Sequence, residues 1–380
     1  MEIRSKLPRG GDTIFSVMSA LASEYSAINL GQGFPDFDCD AELRDRISHH
    51  LNDKKNQYCP MAGLFSLRKT LAFKIFNLYG TKVDPATEIT ITAGATQAIY
   101  TAITAFVHEG DEVIIIEPAY DCYKPAINLV KGIVVPYVIK GPGFKIDWDV
   151  FEDLITPKTS MIVINTPHNP IGKTLKSEDL LALNELVKGK NIVVLSDEVY
   201  EHLIYDNAHH QSVLRYADLY NQSMAVYSFG KTFHSTGWKI GYIVAPQYLM
   251  EEFRKVHQWN VFSVNSFVQY GLNDYLKEPN NYLHLPKFYQ KKRDYFNNLL
   301  SDSRFKPILS EGTYFQLYDY SEISDDDDVT FAKRMTCKYK VASIPVSVFY
   351  SQKTDDKFIR LCFAKTEKVL EKVAELILQI

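Results

Sequence analysis

With 380 residues the chain is long enough for two or three domains and a large core. Hydrophobic residues make up 46% and charged residues 23%, ordinary values for a folded protein of this size. The net charge of −4 gives no electrostatic reason to expect nucleic acid or an anionic membrane as partner. Cys39, Cys59, Cys122, Cys337 and Cys362 are scattered, with no CxxC pair or metal-ligand spacing, and read as reduced thiols. There is no apolar signal-peptide core and no run of about 18 apolar residues, so a cytoplasmic location is expected and the sequon at Asn221 carries little weight.

The chain opens with a Pro/Gly-containing arm, Leu7 to Gly11, and an apolar-periodic segment around Ile14 to Leu21 that predicts a short helix. Gly31 and Gly33 follow, without the third glycine of a dinucleotide loop and with Pro35 where a helix should open. The pair predicts close backbone approach to a ligand or a sharp turn. From Ala41 the pattern alternates. Helical spacing at Ala41 to Leu51, Leu64 to Tyr79, Ala95 to Val107 and Ser177 to Val187 is interleaved with β-branched or wholly apolar runs. Those runs are Glu88 to Thr92, Glu112 to Glu117, Gly132 to Val138, Ser160 to Asn165, Asn191 to Ser196 and Met224 to Ser228, with a further short segment at Phe151 to Ile155. Runs that are apolar at every position, such as Val113 to Ile116, belong to strands covered on both faces and predict a mostly parallel α/β sheet. After Ile243 to Pro246 the pattern becomes helical, from Tyr248 to Leu276 with a break near Phe262 to Asn265, and again from Tyr282 to Leu300. The remainder reads as a smaller α+β domain. The expected division is residues 1–45 as arm and part of the small domain, 46–285 as the large domain and 286–380 as the small domain. The acidic run Asp325 to Asp328 predicts a solvated loop or helix start; it lacks a calcium-loop glycine.

In an open parallel sheet ligands bind beyond the carboxyl ends of the strands, and four such ends here carry polar residues. Gly94-Ala95-Thr96 opens a helix after one strand and offers backbone N–H groups and a hydroxyl to an anion, most simply a phosphate. Asn169 follows the next, in a Pro-rich segment that alone reads as turn chemistry, and His168 beside it reads the same way. Asp197, with Tyr200 three residues on, ends a buried strand, where an acid needs a partner or serves as a helix cap. Lys231 stands just past Met224 to Tyr227, with Ser228 before it and Lys239 after it, an unusual place for lysine. One amine, one carboxylate, one phenol, one amide and a phosphate-binding helix start match the needs of pyridoxal 5'-phosphate.

The segments Asn165-Thr166-Pro167-His168-Asn169-Pro170, Ser196-Asp197-Glu198-Val199-Tyr200, Ser228-Phe229-Gly230-Lys231-Thr232 and Gly237-Trp238-Lys239-Ile240-Gly241 resemble class I aminotransferases of fold type I. The likeness spans nearly the whole chain, including Asn29 to Asp36, Asn56 to Tyr58, Glu117 to Tyr123 and Phe358 to Lys365. Its details most resemble the methionine and kynurenine aminotransferase subgroup, which shares lysine at position 239. The resemblance implies that Lys231 anchors pyridoxal 5'-phosphate as a Schiff base and then carries the proton. It also implies that Asp197 faces the ring nitrogen, Tyr200 and Asn169 bond the 3'-oxygen, and Tyr120 stacks on the ring. Ala95, Thr96, Ser228 and Lys239 would hold the phosphate, with Tyr58 of a second subunit in a homodimer. Arg360 would grip the substrate carboxylate beside Gly33 and Asn169, and Phe15 and Phe262 would line the side-chain pocket. The expected reaction is ping-pong transfer of the amino group of methionine or an aromatic amino acid to a 2-oxo acid. A carbon–sulfur or β-elimination lyase would keep the same residues, whereas a non-catalytic cofactor-binding regulator would call for a DNA-binding segment that the sequence lacks.

Overall fold

The computed structural model describes residues 3–7 and 11–380, so most of the predicted arm, residues 8–10, lies outside the described residues. Helix α1 (Ile14–Glu24) is capped by Thr13, whose side chain accepts from the Ser16 N–H. It leads into the short strand β1 (Ile28–Asn29). Helices α2 (Ala41–Asn52) and α3 (Phe65–Tyr79) follow, and α3 ends on Gly80 at φ 77°, a left-handed stop that glycine takes without strain.

Seven strands then build the main sheet: β2 (Ile89–Thr92), β3 (Glu112–Glu117), β4 (Ile133–Val138), β5 (Thr159–Asn165), β6 (Val193–Asp197), β7 (Ser223–Ser228) and β8 (Gly241–Val244). Their order is β2-β8-β7-β6-β5-β3-β4, parallel from β7 to β4, with β8 antiparallel to both its neighbours. The wholly apolar runs are buried along almost their full length, because helices cover both faces. The segment Phe151 to Ile155 contributes no strand; its start lies in the helix Trp148–Glu152.

Beyond the sheet the chain forms helices Gln247–Asn260 and Ser266–Tyr275, with the break where the sequence predicts it. The expected single helix from Tyr282 is instead two, Asn280–Leu283 and Leu285–Leu299, since Pro286 has no N–H to continue the first and is tolerated at the start of the second. Strands β9 (Lys306–Ile308), β10 (Phe315–Asp319), β11 (Val341–Ala342), β12 (Ile344–Pro345) and β13 (Phe358–Cys362) complete the chain with a C-terminal helix, Glu367–Ile377. The smaller sheet runs β12-β13-β10-β9, and β11 pairs in parallel with β1, tying the first thirty residues to the last forty.

The acidic run does start a helix, Asp328–Tyr339, with Asp327 as its cap. Asp328 departs from the solvated reading: it is buried and accepts 2.6 Å hydrogen bonds from the Ser347 N–H and hydroxyl, and those donors compensate the burial. A second buried polar cluster lies behind the sheet ends. Lys74 from α3 donates to Glu201 at 2.5 Å and to the Tyr242 hydroxyl at 3.0 Å, with Tyr79 also on Glu201. Both ends of the Lys74–Glu201 pair are under 5% exposed.

Candidate active site

The register of the sheet sets the site. Asn165 pairs with Asp197, and Asp197 with Val226, so β5 and β6 end side by side and β7 runs two residues further, to Ser228. Asp197 and Ser228 are therefore the last residues of β6 and β7, one step earlier than a position past the strand ends. Around them opens a cavity of about 130 Å³, lined by Ala95, Thr96, Tyr120, Asn169, Asp197, Tyr200, Ser228, Lys231 and Lys239. Nine predicted residues from six separate segments thus share one wall.

Lys231 lies in a four-residue helix, Phe229–Thr232, capped by the Ser228 hydroxyl. Its ammonium donates to the Tyr314 hydroxyl at 3.0 Å and to the Gly33 carbonyl at 3.3 Å. Burial first, and then the charge of Arg360, lower its pKa to about 8, which brings a free amine within reach near neutrality. Asp197 is 4% exposed, and burial pushes its pKa up to about 6 against the opposing hydrogen bond from Tyr123. That bond, from the Tyr123 hydroxyl to Oδ2, measures 2.6 Å. Tyr200 is buried edge-on to Tyr314, with ring centroids 5.3 Å apart. Tyr120 packs edge-on to Tyr123 at 5.9 Å.

On one side of the cavity Gly94 takes φ 82° and leads into helix α4 (Ala95–Phe106). The first N–H groups of α4 have no partner within the helix. A Cβ on Gly94 would stand 3.4 Å from the Lys239 Nζ, so the ammonium hangs over this helix start. Lys239 itself has φ 52°. Free N–H groups, a threonine hydroxyl and an ammonium at one helix end form a phosphate cradle. The opposite side carries Arg360, 1% exposed in β13, whose Nη1 donates to Asn169 Oδ1 at 2.7 Å and Nη2 to the Gly31 carbonyl at 2.8 Å. Its Nε is buried without a partner, and among the described residues no carboxylate lies within 4.0 Å of it. A buried guanidinium without an anion is a site for one.

Gly31 and Gly33 serve close approach and not a sharp turn: their carbonyls take the Arg360 and Lys231 donors, and neither has positive φ. Phe15 packs on the Arg360 guanidinium at 5.2 Å. Tyr58 and Phe262 are not brought to the cavity of their own chain. They meet edge-on at the surface, 5.2 Å apart, 80% and 55% exposed. Sequence reasoning missed the supports. Tyr123 lies inside a motif noted for its resemblance, while Tyr314 in the loop before β10 carried no signal. Asn165, whose side chain accepts from the Asn169 N–H at 2.7 Å and donates to the Asp197 carbonyl at 2.8 Å, was read as the end of a strand and the start of a resembling motif, with no role of its own.

A lysine, a facing acid, a phosphate cradle and an unpaired arginine at the ends of a mostly parallel sheet define a fold type I transferase site. Residues 25–377 match the family described as aminotransferase class I and II. The chain is 49% identical to methionine aminotransferase of Escherichia coli (strain K12), with 99% of this chain and 98% of that protein covered. It is 34% identical to human kynurenine–oxoglutarate transaminase 1, with 93% and 92% covered. Among solved structures, an Escherichia coli protein with an identified methionine aminotransferase function superposes with a TM-score of 0.98 at 48% identity over 100% of both chains. N-succinyldiaminopimelate aminotransferase from Mycobacterium tuberculosis gives 0.95 at 32% identity, with 99% of each chain covered. The chain belongs to the class I and II aminotransferase family, and it is an aminotransferase.

Proposed function

We propose that this aminotransferase works with pyridoxal 5'-phosphate and moves the amino group of methionine or an aromatic amino acid to a 2-oxo acid by a ping-pong mechanism. The observation that carries the reading is a half-buried Lys231 amine, its pKa lowered toward neutrality, and a buried Asp197 carboxylate lining one cavity. When bound, the cofactor supplies an electrophilic carbon for an amine and an electron sink for the bond broken at the substrate Cα. The residues fit it. The α4 helix start and Lys239 are anion binders, Asp197 suits a protonated ring nitrogen, and Asn169 and Tyr200 offer hydrogen bonds to a ring oxygen.

Lys231 would hold the group through its amine and, freed by substrate, would be the base placed to take the proton from Cα and deliver it on the far side of the intervening nitrogen, a task suited to an amine whose pKa is lowered to about 8. Asp197, buried with Tyr123 as donor, would set its negative charge against the ring nitrogen. Arg360 orients the substrate through its carboxylate, and Asn169 holds the guanidinium in plane. Phe15 and Phe315, 5.2 and 4.4 Å from the guanidinium carbon, leave an aromatic surround that suits thioethers and rings. The methionine and kynurenine relatives support the same donor class. No helix is long and apolar enough to cross a membrane among the described residues, which is compatible with a cytoplasmic enzyme.

A homodimer completes the proposal, with Tyr58 and Phe262 directed to the partner subunit. Their exposure, and the 84% exposure of Trp259, support a buried aromatic surface between copies. The division into residues 1–45, 46–285 and 286–380 is proposed with it, the first segment joining the last through β1 and β11. The test is mass spectrometry after borohydride reduction, with a donor screen. Wild type gains the cofactor's mass at Lys231, and Lys231→Ala gains none, binds cofactor noncovalently and loses turnover. Methionine, phenylalanine or kynurenine should be consumed beyond one equivalent per site only with a 2-oxo acid present. Normal turnover in Lys231→Ala, or aspartate outpacing these donors, overturns the reading; ammonia and pyruvate released without an acceptor would mark a lyase.

A further inference from the structure

Tyr314 stands just before β10 and is fully buried, its ring wedged among those of Tyr200, Tyr289 and Phe315, with centroids 5.3, 5.8 and 5.9 Å away. Packing on three sides fixes where its hydroxyl stands. A phenol has one hydrogen, and Tyr314 donates it to the Gly33 carbonyl. Its oxygen is left as an acceptor, and the Lys231 Nζ lies 3.0 Å from it and 3.3 Å from the same Gly33 carbonyl. The three groups close a triangle. A neutral amine has two N–H groups and one lone pair; with one hydrogen on Tyr314 and the other on Gly33, the lone pair is what remains, on the side turned from both. Arg360 and Lys239 favour that neutral amine, while Cys362 and Asp197 oppose it. Gly33 also stands against the carboxylate grip: a Cβ on it would lie 3.6 Å from the Tyr314 ring and 3.8 Å from Arg360 Nη2. The amine and the guanidinium are thereby placed from one residue.

We infer that Tyr314 sets the direction of the Lys231 lone pair, so that the freed amine faces the substrate Cα–H instead of turning about its own Cε–Nζ bond. In the step it serves, the Cα–H bond breaks, a third N–H bond forms on Nζ, and the bonding electron pair stays on the carbon side. The N–H groups on Tyr314 and Gly33 are spectators throughout, and the third carries the proton to be delivered. The hydroxyl gives up no proton of its own: burial first, and then the neighbouring Tyr200, hold its pKa well above that of an ordinary phenol. This inference rests on Lys231 being the base of the proposed reaction and adds what aims that base.

The test variant is Tyr314→Phe, which keeps the packed ring. Its control is Tyr289→Phe, which removes an equally buried hydroxyl that has no hydrogen-bond partner among the described residues. In the cofactor-free protein, acetylation of Lys231 by acetic anhydride is followed against pH by peptide mass spectrometry. The profile should move to lower pH by about half a unit to one unit in Tyr314→Phe, because the charged amine loses an acceptor, and should stay in place in Tyr289→Phe. The Tyr314→Phe holoenzyme should still gain the cofactor's mass at Lys231 after borohydride reduction. Its kcat should fall about tenfold with little change in KM, and the primary isotope effect with the amino donor deuterated at C2 should exceed that of wild type. An unmoved acetylation profile, an unchanged kcat, a fall in kcat with no larger isotope effect, or an equal loss in Tyr289→Phe each overturns the inference while leaving Lys231 as the base. A wild-type enzyme that gains no cofactor mass at Lys231 overturns that reading and this inference together.

Discussion

Tyr123→Phe removes one oxygen and leaves the ring packing. The lost hydroxyl is the 2.6 Å donor to Asp197 Oδ2, and the Val199 N–H at 3.4 Å is too long to replace it. A hydrogen bond to a charged group is worth about 1.5–3 kcal/mol, and 1.36 kcal/mol corresponds to one pKa unit, so the Asp197 pKa should rise by about one to two units. It starts from about 6, already above the ordinary value because of burial. The sign is fixed: the variant holds its proton to higher pH, so the charge opposite the ring nitrogen is lost across the neutral range. The pH profile of kcat/KM should show its acid limb displaced upward, with activity about tenfold down near pH 6.5 and largely restored near pH 9. In the cofactor-free protein the same group makes stability fall as pH rises from about 4 to about 6, and the variant extends that fall to higher pH. An acid limb unmoved in Tyr123→Phe would refute the assignment of Asp197 and its support together.

Arg360→Lys keeps the charge but loses the planar fork, and Asn169 and the Gly31 carbonyl cannot both be served. KM for donor and acceptor should rise about 10- to 100-fold, with a smaller change in kcat, in steady-state kinetics. Lys74→Met leaves Glu201 charged and buried and should lower unfolding free energy by about 3–5 kcal/mol in urea titrations, whereas Lys74→Met with Glu201→Leu should recover much of that loss. A double variant no more stable than the single would show that the ion pair is not the source of the penalty.

The lysine, the acid and the amide could be read from the sequence because each follows a short apolar run, and the ends of parallel strands converge by geometry alone. Other parts depend on pairings distant along the chain. Tyr314 meets Lys231 across 83 positions and Tyr123 meets Asp197 across 74, and a tyrosine looks the same whether it fills a core or donates to a carboxylate. The antiparallel placement of β8 was equally hidden, since an apolar strand carries no mark of its direction. Asp328 misled because a run of four acids looks solvated, and only the fold brings Ser347 to it.

Arg360 spends its two Nη groups inside the protein, on Asn169 of one segment and Gly31 of another. A guanidinium has five N–H groups, so three, the Nε among them, remain for an incoming carboxylate, and it meets a fork whose direction is already fixed. The same side chain joins the Gly31 segment and the last strand to the Asn165–Asn169 segment, so the group that recognises substrate is also the tie that keeps these three parts in register.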